Sequence, residues 1–242
     1  MVKTIIDIIE NRINKMRDGY VFTSTDFIDI VKDPAVLSRS LRSLVQSGKI
    51  QKAGKGRFYK PVNSMFGTLP PYEEWIVQEF LMDGKRIIGY LTGQYAYSVL
   101  GLSTQVSSVY TIGSNTYRRM ITRGNVQIRF IVQPNTITRT NIPLLQILDT
   151  IRFIRQIPAC TPDDACVILR KVIGNLNTEE RSLLASLSMK YTGYVRAIVG
   201  AILDEIKDTD TNTLYQSLNP ATVYKIGLND EVLPNRKKWR VQ

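Results

Sequence analysis

Between Asp33 and Pro61 the chain reads DPAVLSRSLRSLVQSGKIQKAGKGRFYKP, and the order of residue types there leaves few ways to fold. Asp33 is an N-cap residue, its carboxylate able to accept from the free N–H groups of a first helical turn. Pro34 suits the first helical position, where its missing donor costs nothing. Leu37, Leu41, Leu44 and Val45 then recur at helical spacing and stack on one face. The opposite face carries Ser38, Arg39, Arg42, Ser43 and Gln46, and Gly48 stands where a left-handed stop belongs. After it, Ile50–Ala53 and Arg57–Lys60 flank a Gly54-Lys55-Gly56 tip, the pattern of a hairpin with a cationic end.

From Pro34 to Tyr72 there is no acidic residue, while Arg39, Arg42, Lys49, Lys52, Lys55, Arg57 and Lys60 are all basic. Such a surface attracts phosphate. A helix with an arginine-bearing outer face followed directly by a basic hairpin has the layout of a recognition helix and wing. The alternative reading is a solvated helix and hairpin with ordinary surface lysines.

Upstream, Thr4–Met16 places its isoleucines on one side as a first helix, and Gly19 ends it. Tyr20–Phe22 reads as a short extended piece. Thr23, Ser24 and Thr25 then offer caps for a second helix through Phe27, Ile28, Ile30 and Val31. The resulting order predicts a winged helix-turn-helix over residues 1–62. On that reading Arg39 and Arg42, with Ser38 and Ser43 beside them, reach base edges in the major groove. Thr23, Ser24 and Thr25 contact phosphate, and Lys52, Lys55 and Arg57 grip the backbone or minor groove.

Pro61–Pro71 holds three prolines and no charge, and residues 63–71 read as a linker. Residues 72–242 follow as a second, larger domain. It opens with a helix over Tyr72–Met82, and Thr92 is a candidate cap for a short helix over Gly93–Leu100. Strands are expected at Ser108–Ile112, Arg118–Ile121 and Val126–Val132, making a small antiparallel sheet within about 107–132. Four helices at Ile142–Ile154, Pro162–Ile173, Thr178–Met189 and Tyr194–Ile206 form a bundle over about 141–206. Asn177 and Glu180 make a capping box for the third. A basic tail closes the chain, with Trp239 expected to pack it down. The fold class is α+β: an N-terminal winged helix-turn-helix plus a larger, mainly helical domain containing the small sheet.

The run SLRSLVQSGKIQKAGKGRFYKP resembles the N-terminal winged helix of AbiEi-like antitoxins, the regulatory halves of type IV toxin–antitoxin modules, including a Bacteroides-rich subgroup. The block GYLTGQYAYSVLGLSTQVSSVYTIGSN and the ending LNPATVYKIGLNDEVLPNRKKW are similar to that group as well. The resemblance implies a DNA-binding autoregulator that represses its own operon, with a role in phage defence. It implies two partners: double-stranded DNA at its own promoter, as inverted repeats, and a nucleotidyltransferase toxin as genetic partner. It also makes Arg118, Arg119 and Arg123 candidates for the antitoxin surface. They sit in a stretch, Gly84–Leu148, that lacks acidic residues and holds seven basic ones. The bland reading of those arginines is a charged hairpin edge protected from aggregation. A winged-helix regulator or protein–protein adaptor unrelated to any toxin is the alternative for the whole chain.

Composition narrows the chemistry further. Net charge is +11 over 242 residues, of which +6 falls within the first 62, favouring an anionic partner. There is no histidine, which removes imidazole acid–base chemistry and histidine metal ligation. Cys160 and Cys166 lack metal-ligand or redox spacing and read as packing residues. Gly113-Ser114 superficially matches a nucleotidyltransferase turn, but the next carboxylate is Asp149, too far on to hold its metal ions. Gly48–Lys55 lacks phosphate-loop spacing. Asp163, Asp164, Glu179 and Glu180 sit in first helical turns, where the dipole favours carboxylates. The expectation is a non-enzyme with no metal and no cofactor. No apolar run approaches the roughly 20 residues that span a bilayer, and the expected location is the cytoplasm.

Overall fold

The computed structural model describes residues 4–17, 19–54, 56–64, 67–69, 73–84, 86–105, 107–123, 126–207 and 209–242. They form two compact units, residues 1–79 and 80–242, and the architecture is α+β.

The first unit runs α1 (Ile5–Asn14), β1 (Val21–Thr23), a 3-10 turn (Ser24–Phe27), α2 (Pro34–Gln46), β2 (Gln51–Gly54) and β3 (Arg57–Tyr59). It continues with β4 (Val62–Ser64), β5 (Gly67–Leu69) and α3 (Glu73–Gln78). Asp33 caps α2 by accepting from the Ala35 N–H at 2.8 Å, with Pro34 inside the first turn. At the other end Gly48 takes a φ of 73°, and the Lys49 N–H returns to the Leu44 carbonyl, the left-handed stop expected from sequence. β3 lies between β1 and β2, antiparallel to both, and a bulge between Lys52 and Gly54 twists the hairpin.

Ile9, Ile13, Phe22, Phe27, Leu37, Leu41, Leu44 and Ile50 form the core of this unit. Phe22 meets Phe27 edge-on at 5.5 Å and stacks on Phe58 at 6.2 Å. Each buried leucine or phenylalanine contributes about 1.5–3 kcal/mol, so the three α2 leucines orient that helix far more firmly than its surface charges do.

Two expectations are corrected here. The helix predicted through Phe27, Ile28, Ile30 and Val31 is a 3-10 turn, Ser24–Phe27, continued by hydrogen-bonded turns in which the Ile30 and Val31 N–H groups return to the Phe27 carbonyl at 3.0 and 2.9 Å. Asp33 stands before Pro34 and must leave the helical region, as its ψ of 111° shows, so a longer helix has no room to end. Secondly, Val62–Ser64 and Gly67–Leu69 pair as a short antiparallel hairpin inside the stretch read as linker.

The second unit contains β6 (Met82–Asp83), β7 (Arg86–Ile87), β8 (Gly89–Thr92), α4 (Gln94–Val99), β9 (Val109–Ser114), β10 (Ile121–Arg123) and β11 (Val126–Val132). Then come α5 (Ile142–Arg152), α6 (Pro162–Gly174), α7 (Thr178–Ser188), α8 (Gly193–Ile206) and α9 (Asn212–Gln216). The helix expected to reach Met82 stops at Gln78, and Met82 instead pairs in a two-stranded ribbon with Ile87. The main sheet has the order β10-β11-β9-β8. Its outer pairs are antiparallel, whereas β9 and β11 run parallel, so the sheet is mixed and begins at Gly89 rather than near residue 107. The strand expected at Arg118–Ile121 starts only at Ile121, leaving Asn115–Met120 as the connection from β9 to β10, which lies on the far side of β11.

A buried carboxylate joins sheet and bundle. Asp149 on α5 accepts from the Tyr90 hydroxyl at 2.6 Å, the Thr92 hydroxyl at 3.0 Å and the Tyr191 hydroxyl at 2.9 Å. Gln133 donates to both tyrosine oxygens, at 2.7 and 2.6 Å, and accepts from the Asn135 backbone N–H. Thr92, read from sequence as a helix cap, is thus a strand residue whose hydroxyl goes to Asp149. The Tyr90 ring lies so close over Gly113 that a Cβ there would sit 2.4 Å from it. Burial pushes the Asp149 carboxyl above the usual carboxylate range, against the pull of its three hydroxyl donors and of Arg152.

α8 is apolar nearly all round and sits at the centre of the bundle. Trp239, fully buried, covers Gly200 on it, meets Tyr215 edge-on at 5.5 Å and donates its indole N–H to Asp204 at 3.2 Å.

Two outcomes follow from these contacts. Helix propensity alone would make Gly200→Ala stabilising by about 1 kcal/mol. The added Cβ, however, would sit 2.1 Å from the Trp239 ring. A net loss of about 1–3 kcal/mol in urea denaturation is therefore expected, with a changed tryptophan near-ultraviolet signal. For Asp149, the folded-state pKa lies above the unfolded value, so its contribution to stability is whole below that unfolded value and is lost as pH rises through the folded-state pKa. The melting-temperature difference between wild type and Asp149→Asn should fall as pH is raised from about 4 to about 7, carboxylates ordinarily titrating near 4. A difference independent of pH would contradict this.

Candidate nucleic-acid interface

Leu37, Ser40, Leu41 and Leu44 occupy the buried face of α2, which turns the opposite face to solvent. Ser38, Arg39, Arg42 and Ser43 are all exposed on one side of α2. Arg39 makes one long contact to the Ala35 carbonyl of its own helix, 3.4 Å. Arg42 has no hydrogen-bond or ion-pair partner among the described residues. The turn and the hairpin meet this helix in one place: Ser24, Ser38 and Gly56 line a single depression of about 230 Å³. Lys52 is exposed on β2, also without a partner among the described residues. Lys55, at the hairpin tip, lies outside the described residues.

The remaining expected contacts differ in what holds them. Thr23 is half-buried and engaged locally: its N–H donates to the Asp26 carboxylate at 2.7 Å, and its hydroxyl lies 2.5 Å from that of Thr25. Ser24 and Thr25 are exposed. Arg57 is half-buried and ion-paired with Glu79, which ties the hairpin to the residues after α3. Nothing in the sequence signals that pairing, since 22 residues separate the two and no periodicity links them. Lys49 is bridged to Glu10 at 2.6 Å and Arg12 to Asp29 at 2.5 Å. Lys32, which lines the same depression, and Arg39, Arg42 and Lys52 are therefore left without a carboxylate partner among the described residues.

In the second unit the arginines 118, 119 and 123 have three different settings. The Arg118 guanidinium stacks over the Phe80 and Phe130 rings at 5.7 and 5.8 Å, a cation–π arrangement that holds it in place. Arg119 is exposed, and Arg123 is half-buried at the end of β10 with its Nε unpartnered among the described residues. Cys160 and Cys166 are both free thiols, and burial pushes the Cys166 thiol up to about 12, which makes it unreactive. Among the described residues no cluster of three cysteine, aspartate or glutamate side chains could hold a metal ion, and no helix is long and apolar enough to cross a membrane.

Fold and surface together define a two-unit α+β protein whose N-terminal unit presents unpaired cations on one helix face. The chain belongs to the family of unknown function DUF6088, whose model matches residues 8–153, from α1 to the end of α5. No curated protein matches it. Among solved structures it is similar to the RV2827C protein from Mycobacterium tuberculosis, at 13% identity over 93% of this chain and 86% of that one, with a TM-score of 0.46.

If the α2 face is a surface rather than a support, its side chains are dispensable for folding. Alanine at Arg42, Ser43 or Lys52 should leave stability within about 0.5 kcal/mol in urea denaturation. Leu41→Ala, on the opposite face, should cost about 2–5 kcal/mol.

Proposed function

We propose that residues 1–62, within the first unit, form a winged helix-turn-helix that binds duplex DNA. On this reading the chain is the cytoplasmic, DNA-binding antitoxin of a type IV toxin–antitoxin pair, repressing its own promoter. The observation that carries the DNA-binding part is the α2 face, where Arg39 and Arg42 project between Ser38 and Ser43 with no carboxylate beside them. Arginine there suits bidentate contact with guanine, and the serines suit phosphate or either base. Lys52 and the hairpin tip supply backbone contacts, while Arg57 is held back by Glu79 and contributes position more than charge. The antitoxin part rests on the sequence resemblance, with Arg119 exposed and not engaged by the aromatic rings that hold Arg118. It acts on a nucleotidyltransferase partner without chemistry of its own.

A protein-binding adaptor is the second reading. Ile28, 58% exposed and lining the same depression as Ser24 and Ser38, favours it.

Gel-shift titration on inverted repeats from the protein's own promoter separates the two. Arg39→Ala or Arg42→Ala should weaken specific binding by about 1–3 kcal/mol and relax base preference. Lys52→Ala should weaken all sequences alike and flatten the salt dependence by about one unit. DNA binding unchanged in the Arg39→Ala, Arg42→Ala double variant would overturn the assignment. Partner capture that survives high salt and depends on Ile28 would favour the adaptor.

A further inference from the structure

Only part of the main sheet is covered by the helices. Around Tyr90, Thr92 and Gly113 the sheet packs beneath α5 through the Asp149 bonds. Farther along the same face, Thr111 of β9 lies opposite Arg129 of β11, with Ile131 two residues on. These three side chains line a cleft of about 320 Å³ whose other walls include Tyr97 of α4 and Phe153 and Gln156 after α5. That volume falls within the roughly 300–1,000 Å³ typical of small-molecule sites.

The lining has one sign of charge. It contains no carboxylate, and no acidic residue occurs between Gly84 and Leu148. Arg129 is exposed and has no hydrogen-bond or ion-pair partner among the described residues. A second guanidinium, that of Arg152, lies 5.2 Å from the centre of the Phe153 ring. Gln94, also lining the cleft, donates its carboxamide nitrogen to Ser103 and to the Gln105 carbonyl, which leaves its oxygen as an acceptor. The cleft therefore combines a free guanidinium and a hydroxyl with one part-exposed aromatic wall, Phe153, and carboxamides that read polar edges.

We propose that this cleft binds a phosphorylated small molecule of mononucleotide size, its phosphate held by Arg129 and Thr111 and its flat ring set against Phe153. Guanidinium recognises phosphate through paired charge-assisted hydrogen bonds, and aromatic faces accept any planar base. The site lies wholly within residues 80–242 and stands apart from the DNA-binding reading of residues 1–62.

The test is isothermal titration of the full chain, at low salt, with the four ribonucleoside monophosphates, the matching nucleosides and inorganic phosphate. At least one nucleotide should bind with a Kd below about 1 mM, and its nucleoside and inorganic phosphate should each bind at least about tenfold more weakly. Arg129→Glu should abolish binding and Arg129→Lys retain part of it, with thermal melts of both variants unchanged because the side chain is exposed. No nucleotide binding, or binding that Arg129→Glu leaves intact, would overturn the proposal. A nucleoside or phosphate ion that binds as tightly as the nucleotide would overturn it too, since one half of the assigned contacts would then be idle.

Discussion

The burial of Leu37, Leu41 and Leu44 is the constraint on which the N-terminal unit depends. It sets the rotation of α2 about its own axis, and with it the direction in which Arg39 and Arg42 point. The ion pairs nearby, Lys49 with Glu10 and Arg12 with Asp29, are solvent-exposed and worth at most about 1 kcal/mol each, too little to orient a helix. Apolar contact decides the geometry, and charge decides only what that geometry can meet.

The same division of labour appears in the second unit with its terms reversed. There a polar group, Asp149, lies at the junction between an apolar bundle and a small mixed sheet. Burying a carboxylate is unfavourable unless it is hydrogen-bonded, and three hydroxyls from β8 and from the start of the α8 region converge on it. Each of those hydroxyls comes from a residue at least 42 positions away in the chain. Such a network disfavours alternative packings of β8, because any other register would take the Tyr90 and Thr92 hydroxyls away from the carboxylate.

What could be read in advance follows from range. The α2 caps, its leucine face, the glycine stop and the four bundle helices are encoded within a few turns of chain and were legible. So was Trp239 as the residue that pins the tail. The parallel pairing of β9 with β11 was not, since it depends on partners brought together by the connection through β10. Thr92 misled because an isolated threonine before a glycine and a helical run resembles a cap, while its true partner lies 57 residues on. Of the expected contact residues, those on α2 were legible because amphipathic spacing fixes them. The pairing of Arg57 with Glu79 and the cleft around Arg129 were not, because both are made only by the folded backbone.

The proposed role requires the cationic face of α2 and its adjoining hairpin to meet duplex DNA. Amide hydrogen exchange of the full chain, with and without a duplex carrying the inverted repeat of its own promoter, addresses that directly. Slowed exchange concentrated in residues 34–46 and 51–59 is the predicted result. Exchange in those segments unchanged by DNA, with or without protection elsewhere, would contradict it.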